Sequence, residues 1–406
     1  MICVLQFDSA SESVVERMLG EGRLAALAEL LGRGRRVELA TPASEFAAGA
    51  FPTLYSGVHL ADHGVVYPFQ WSPEAQRALP ASRFHAPAGV WERLAAHGLR
   101  TLAIDPYECR PPGRALGTFV SGWGFRERVV LPRWSRPRPA ARRLALRHGT
   151  PPVATEIFGA QRPAHLLRLR ERLLAAPARV SSLALDLLGR ERFDLAWLTF
   201  SAAHLGGHAF WDLSQVPEGE LHGGARAALS ATLEEIYAAV DRAIGEVVAA
   251  LGSDDHLIVV SPVGMDVNTS RADLLPEMLA AVLSGGPLPE EDEAGAIWRL
   301  RSAVPPSARE RVAAALPRPL ALDLTARLEL RGHDWAATRA FAHPADNQGY
   351  VRFNLRGRER DGIVDPGAAA ELTEEIRAGL GSFRDPDGSP SVASVDEVAE
   401  IHRGDR

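Results

Sequence analysis

Two histidines four residues apart, His204 and His208 in "FSAAHLGGHAFWDL", follow directly on the apolar run "FDLAWLTFS" (193–201). Imidazoles at i and i+4 face the same way on a helix, a spacing that suits metal ligands, and either ring is also a candidate general base. Gly206 and Gly207 weaken such a helix, and a histidine pair is otherwise ordinary polar surface. A carboxylate, Asp8, closes the apolar run "ICVLQFD". An acid at a strand tip serves as a ligand or as the N-cap of the next helix. A third stretch, "HLIVVSPVGMDV" (256–267), is apolar from Leu257 to Val260 and breaks at Ser261, Pro262, Val263 and Gly264. That is the pattern of a buried strand delivering a loop at its C-terminal end, the edge where open α/β sheets place their chemistry. Pro262 and Val263 ligate nothing, and Asp266 reads most simply as the start of an Asx-turn.

These groups need elements to position them, and the text supplies alternating ones. "ICVLQFD" reads as a strand and "SESVVERMLGEGRLAALAELLGRG" as helical with glycine stops. "RVELATPAS" reads as a second strand, "FPTLYSG" as a helix start and "LRTLAIDPYE" as another strand. "LEEIYAAVDRAIGEVVAALG" is an amphipathic helix feeding "HLIVVS". Near the end, "TRAFAHPADNQGYVRFNLRGRERDGIV" gives two strands and a turn, then a helix over about 367–381. Strands alternating with helices predict an α/β domain, residues 1–406, with a mostly parallel sheet covered on both faces. Residues 68–190, rich in Pro, Trp and Arg, are expected as an insertion capping the sheet edge, and 282–335 as a second, helical insertion. From Arg126 to Arg147 there are eight Arg against one Glu. Such a tract can grip phosphate, with Trp134 stacking, but a charge run is more commonly a solvated face.

Composition narrows the function classes. A net charge of −6 gives no overall attraction to nucleic acid or to an anionic membrane, so neither is expected as a partner. Two cysteines, Cys3 and Cys109, make no disulfide framework, and the N-terminus lacks a basic segment ahead of a long apolar one. A soluble protein of a reducing cytoplasm is expected. All 45 basic residues are Arg, which reads as the codon bias of a GC-rich bacterial genome and excludes lysine Schiff-base chemistry.

Taken in order, "VLQFD", "FPTLYSGVHLADHG", "FSAAHLGGHAFWDL", "HLIVVSPVGM" and "NQGYVRFNLRGRERDGIV" resemble the alkaline phosphatase superfamily, in its type I phosphodiesterase and nucleotide pyrophosphatase branch. The resemblance covers most of the chain outside the two insertions. It implies a three-layer α/β sandwich with two divalent metals, usually zinc, and a Thr or Ser nucleophile that attacks phosphorus. Asp8 matches the first-strand ligand. The nucleophile position falls on Ala47 when counted from Gly57 and on Ala50 when counted from "FPT". Alanine stands there in either register, and Thr53 and Ser44 are the nearby hydroxyls, with Thr53 the catalytic candidate. In the Asp-x-x-x-His segment His204 stands at the Asp position and His208 matches. Pro262 and Val263 stand where a Ser-Asp-His-Gly loop would supply two ligands, with Asp266 as a substitute close by. The late histidine falls on Asn347, with His343 four residues earlier as a stand-in. Asn donates hydrogen bonds more readily than it binds zinc. Asn347, His343 and Asp266 are thus expected at the substrate.

A two-metal zinc site is not expected from this count. One reading is a hydrolase that uses a single divalent metal, zinc, iron or manganese, on Asp8, His204 and His208 and acts on a phosphate- or sulfate-bearing small molecule. A second is a catalytically inactive binding or scaffold protein. A third is a metal-free enzyme in which His204 or His208 is the general base and Asp8 orients it. The oligomeric state is not read from the sequence.

Overall fold

A computed structural model of the chain describes residues 1–84, 86–125, 133–152, 161–214, 216–217, 219–284, 330, 333–343 and 347–403. In chain order the strands are β1 (Ile2–Phe7), β2 (Phe69–Ser72), β3 (Arg77–Pro80), β4 (Thr101–Ile104), β5 (Gly117–Val120), β6 (Ser135–Arg136), β7 (Leu195–Phe200), β8 (His256–Val260), β9 (Ala340–His343) and β10 (Tyr350–Phe353). The α-helices are α1 (Glu12–Gly20), α2 (Ala25–Arg33), α3 (Ala47–Ser56), α4 (Leu60–His63), α5 (Val90–Ala96), α6 (Ala140–His148), α7 (Pro163–Leu188), α8 (Ala202–Phe210), α9 (Gly223–Ser230), α10 (Thr232–Ala249), α11 (Leu275–Ser284), α12 (Ala369–Leu380) and α13 (Val398–Ile401). The chain divides into two compact units, residues 1–44, 50–57 and 87–267 in the first and 45–49, 58–86 and 268–406 in the second.

The first unit is built on a six-stranded sheet of order β6-β5-β4-β7-β1-β8, parallel except where β6 runs against β5. Period-two alternation sorts its side chains onto two faces. Cys3, Leu5 and Phe7 of β1, with Ala196, Leu198 and Phe200 of β7, pack under α1, α2, α7, α8 and α10. Val4, Leu195, Trp197, Ala103 and Phe119 face the other way, against Phe51 and Tyr55 of α3 and Trp91 of α5. The expected α/β class, a mostly parallel sheet with helices on both faces, is therefore the observed one.

Local rules explain the helices. Ser11 caps α1, its side chain accepting from the Val14 N–H. The α2 N-terminus has no cap of its own; Asp241, buried on α10, accepts from the N–H groups of Ala26 and Leu27. Pro163 opens α7, and Leu166, Leu169, Leu173, Ala176, Val180, Leu183 and Leu187 give it one buried stripe.

Three sequence expectations are corrected. "RVELATPAS" forms no strand: residues 35–41 are irregular, Val37 and Leu39 are exposed, and β7 and β8 already occupy both sides of β1. Residues 68–190 are not an insertion over the sheet edge. They supply β4, β5 and β6 of the sheet itself, and the β2–β3 hairpin of the second unit. Within them Arg133, Arg138, Arg142, Arg143 and Arg147 are exposed, the solvated face expected of the Arg-rich tract, while Arg136 and Trp134 brace the backbone. Arg136 donates to the carbonyls of Pro112, Gly113 and Ala115, and Trp134 donates to the Cys109 carbonyl. Residues 126–132 lie outside the described residues, as do 285–329 and 331–332, which make up nearly all of the expected 282–335 insertion. Finally, β8 is not a buried strand. It pairs with β1 at the end of the sheet and leaves Ile258 and Val259 exposed, so its apolar run reflects strand propensity more than two-sided burial.

The second unit has its own core, in which α11 and α12 pack with the antiparallel β9–β10 pair through Leu275, Leu279, Leu372, Ile376 and Ala340.

A close strand contact is set by Gly117, which pairs with Thr101 at φ +111°; a Cβ there would lie 2.0 Å from the Thr101 carbonyl oxygen. Neither the conformation nor the space admits a side chain. Gly117→Ala is expected to cost about 3 kcal/mol or more in urea denaturation; a loss below about 1 kcal/mol would show that β4 and β5 separate at little cost.

Candidate functional site

At the C-terminal ends of β1 and β7 the register is Phe7 opposite Phe200, and the Asp8 N–H donates to the Phe200 carbonyl. The residues that follow the two strands therefore leave side by side. Asp8 is fully buried; its Oδ2 lies 3.2 Å from His204 Nδ1, and its Oδ1 accepts from the Ser9 hydroxyl at 3.4 Å. His204 is one turn into α8, and its Nε2 lies 3.1 Å from His208 Nε2. The three side chains form one line, Asp8 to His204 to His208. A carboxylate accepts, so His204 carries its proton on Nδ1 when neutral, and its Nε2 then accepts from His208.

The glycines of α8 serve close packing. A Cβ on Gly206 would meet Ile236 of α10 at 2.7 Å, and one on Gly207 would meet the Met265 sulfur at 1.7 Å. Met265 belongs to the loop after β8. Ser261 ties that loop to β1, accepting from the Ala10 N–H and donating to the Val263 carbonyl. Pro262 is buried and Val263 borders the aromatic core. The loop is an apolar wedge that holds α8 in place.

The arrangement does not fit the three-ligand metal set expected from Asp8, His204 and His208. The two ring nitrogens of one imidazole point apart, and those of His204 are turned to Asp8 and to His208, so the donors lie in a row without meeting at one point. Among the described residues no group of three or more His, Cys, Asp or Glu side chains is placed to hold a metal ion.

The other candidates are more scattered. Thr53 stands on α3, near Phe51, whose ring packs on Tyr107 at 4.9 Å. The Asp266 side chain is exposed and accepts from the Val267 N–H, an ordinary local turn. His343 and Asn347 belong to the second unit: His343 is buried at the end of β9 with its ring edge-on to Tyr350, and Asn347 is exposed, its carbonyl accepting from the Ser270 hydroxyl.

Further groups went unread in the sequence. Tyr107 lies against the His204 ring with centroids 5.0 Å apart, and its carbonyl accepts from the Tyr55 hydroxyl. Gln6 Oε1 gathers donors from Tyr55, Trp197 and Thr199. Among the described residues, three of the four non-glycine residues with positive φ, Ser9 at 55°, Asp105 at 54° and Glu108 at 48°, lie just beyond β1 and β4 at this same edge. Asp105 follows "TLAI" as Asp8 follows "VLQF", a repeated pattern of apolar strand then acid that could have flagged it. Asp105 accepts from the N–H groups of Trp123 and Gly124 at 2.6 and 2.7 Å. Burial nevertheless pushes its carboxyl up to about 6, against the pull of those donors and of Arg133.

A raised folded-state pKa means the folded protein holds the Asp105 proton more tightly than the unfolded chain. That contribution is complete below pH 4 and is lost as pH rises through 6, at most about 3 kcal/mol. The stability of wild type minus that of Asp105→Asn is expected to decline across pH 4 to 6 in denaturant titrations. A flat difference over that window would show that folding leaves the proton affinity of Asp105 unchanged.

Solved structures of phosphonoacetate hydrolase from Sinorhizobium meliloti 1021, one with phosphonoformate and one with phosphonoacetate, match this chain at 15% identity and a TM-score of 0.41 each. The matches cover 67% and 68% of this chain, and 57% and 61% of theirs, less than two thirds of their length. A search of curated proteins finds no match. The family model for type I phosphodiesterase / nucleotide pyrophosphatase matches residues 2–402, and the chain belongs to that family.

Proposed function

We propose that this chain is a divergent hydrolase of its family, acting on a phosphate- or sulfate-bearing small molecule with water as the nucleophile and the His204–His208 pair as general base. The observation that carries the reading is the unbroken line from Asp8 through His204 to His208. Alanine at positions 47 and 50 removes the hydroxyl that would attack phosphorus in the family's pattern, so another nucleophile is required. A water whose proton passes to the histidine pair attacks the phosphorus or sulfur, the ester bond breaks, and the leaving oxygen takes a proton back from the same pair. The buried Asp8 carboxylate balances the imidazolium while the proton is held. No step is drawn through a metal, because the donors do not converge. Three backbone positions held in a costly conformation around the same edge support a working site over a decayed one.

The test is turnover of p-nitrophenyl phosphate, bis-p-nitrophenyl phosphate and p-nitrophenyl sulfate by the full chain. His204→Ala, His208→Ala and Asp8→Asn are each expected to lower kcat by about 100-fold or more, the usual worth of general acid-base catalysis. Prolonged dialysis against EDTA is expected to leave turnover unchanged. Activity lost to EDTA and restored by zinc or manganese would replace this reading with the single-metal one, and absence of turnover on all three esters would favour a binding protein.

A further inference from the structure

The second unit contains a cavity of about 1140 Å³, walled by β10, α11, α12 and the C-terminal segment 391–402. It is separate from the histidine line and belongs to no step drawn above. Leu275 and Met278 of α11, with Phe383 beyond α12, give it an apolar wall, and Arg352 enters it from β10.

The arginines around the cavity differ in what they hold. Arg271 is paired with Asp385, and Arg384 donates to the carbonyls of Gly381 and Phe383. Arg358 and Arg352 share one carboxylate. Glu359, fully buried, accepts from Arg358 Nε at 2.9 and 3.0 Å, from Arg352 Nε at 3.2 Å and from the Leu355 N–H at 2.9 Å. Two guanidiniums on one carboxylate leave one positive charge unbalanced. Arg352 commits only Nε, so among the described residues its two Nη groups have no hydrogen-bond acceptor. Its side chain is only 20% exposed, so water answers that need incompletely. Burial and the like charge of Arg358 both act against the cation, as expected where an anion is wanted. Beside it on the same side of β10, Tyr350 packs edge-on to Phe46, and both rings also line the cavity.

Carboxylates limit the ligand's charge. Glu45, Asp396 and Glu397 line the same cavity and would repel a polyanion. We propose that the cavity is a binding site for a small amphipathic monoanion. Its negative group sits on the Arg352 fork, and its apolar body lies against Leu275, Met278 and Phe383.

The probe is 8-anilinonaphthalene-1-sulfonate, one sulfonate on an aromatic body, titrated by fluorescence into the full chain. One equivalent is expected to bind, and Arg352→Gln to weaken it at least tenfold. The neutral N-phenyl-1-naphthylamine is expected to bind wild type at least tenfold more weakly. Ala281→Trp fills the cavity from α11 without touching the Arg352–Glu359 pair, and is expected to abolish binding with an unchanged far-ultraviolet circular dichroism spectrum. Equal affinity in wild type and Ala281→Trp, equal affinity for the neutral amine, or several equivalent dye sites would each overturn the proposal. Should Arg352→Gln fail to fold, the filled-cavity variant and the neutral amine decide it.

Discussion

The site depends on the parallel pairing of β1 with β7. With Phe7 opposite Phe200 and the Asp8 N–H on the Phe200 carbonyl, the turn after β1 and the first turn of α8 start level, and Asp8 meets His204. A slip of one residue would turn every β1 side chain to the other face of the sheet and take the Asp8 carboxylate away from the imidazole. That slip is prevented from both sides, because Cys3, Leu5 and Phe7 fill one core while Val4 fills the other. A carboxyl group with no exposure is tolerable only where hydrogen-bond partners meet it, and here they are the His204 ring and the Ser9 hydroxyl.

Below this line a polar network braces the edge. Gln6, two residues before Asp8, receives the Trp197 and Thr199 donors of β7 and the Tyr55 hydroxyl of α3, and Tyr55 also reaches the Tyr107 carbonyl. One tyrosine thus connects β1, α3 and the loop after β4, while the Tyr107 ring closes on His204. Burial pushes the Tyr55 hydroxyl far above its ordinary range, so it stays a neutral donor. On the other side, Met265 reaches into the gap left by Gly207. The proline and valine in "SPVGM" have their explanation here. The packing of this loop fixes the helix that carries both histidines.

Much of this was legible in the sequence, at differing levels. The strands at 2–7, 195–200 and 256–260 and the helix at 232–249 announce themselves because each buries or pairs its own run. "RVELATPAS" shows the limit: alternation predicts a strand, but a strand exists only where a neighbour's edge is open, and none was open beside β1. At the site, Asp8, His204 and His208 could be named from type and spacing, since i and i+4 on a helix must be neighbours. Their spacing could not tell which ring nitrogen each neighbour takes. Proximity is written in the sequence; convergence on a point is not, because it depends on side-chain rotation and on where β7 ends relative to β1. Residues 68–190 were misjudged for a related reason: "LRTLAIDPYE" reads as a strand, but a Pro- and Arg-rich composition hid its four-residue partner β5 and so the place of both in the sheet.

Charge explains how such a site handles an anion. A buried Asp8 alone would repel a phosphate or sulfate group, and the family's pattern answers that repulsion with cations held by several carboxylates and histidines. On the resemblance, Pro262 and Val263 stand where two ligands of a second cation would. One carboxylate then faces two imidazoles, and a single proton on the pair makes the set neutral. On the proposed reading, the proton taken from the attacking water neutralises the set as the reaction proceeds, and the same proton is delivered to the leaving oxygen. Both tasks fall on His204 and His208 together, since either ring can hold the proton only while the other accepts from it. On the proposed reading, His204 at the aspartate position and alanine at the nucleophile position belong to one chemistry, in which a relayed proton does the work of a metal-activated side chain.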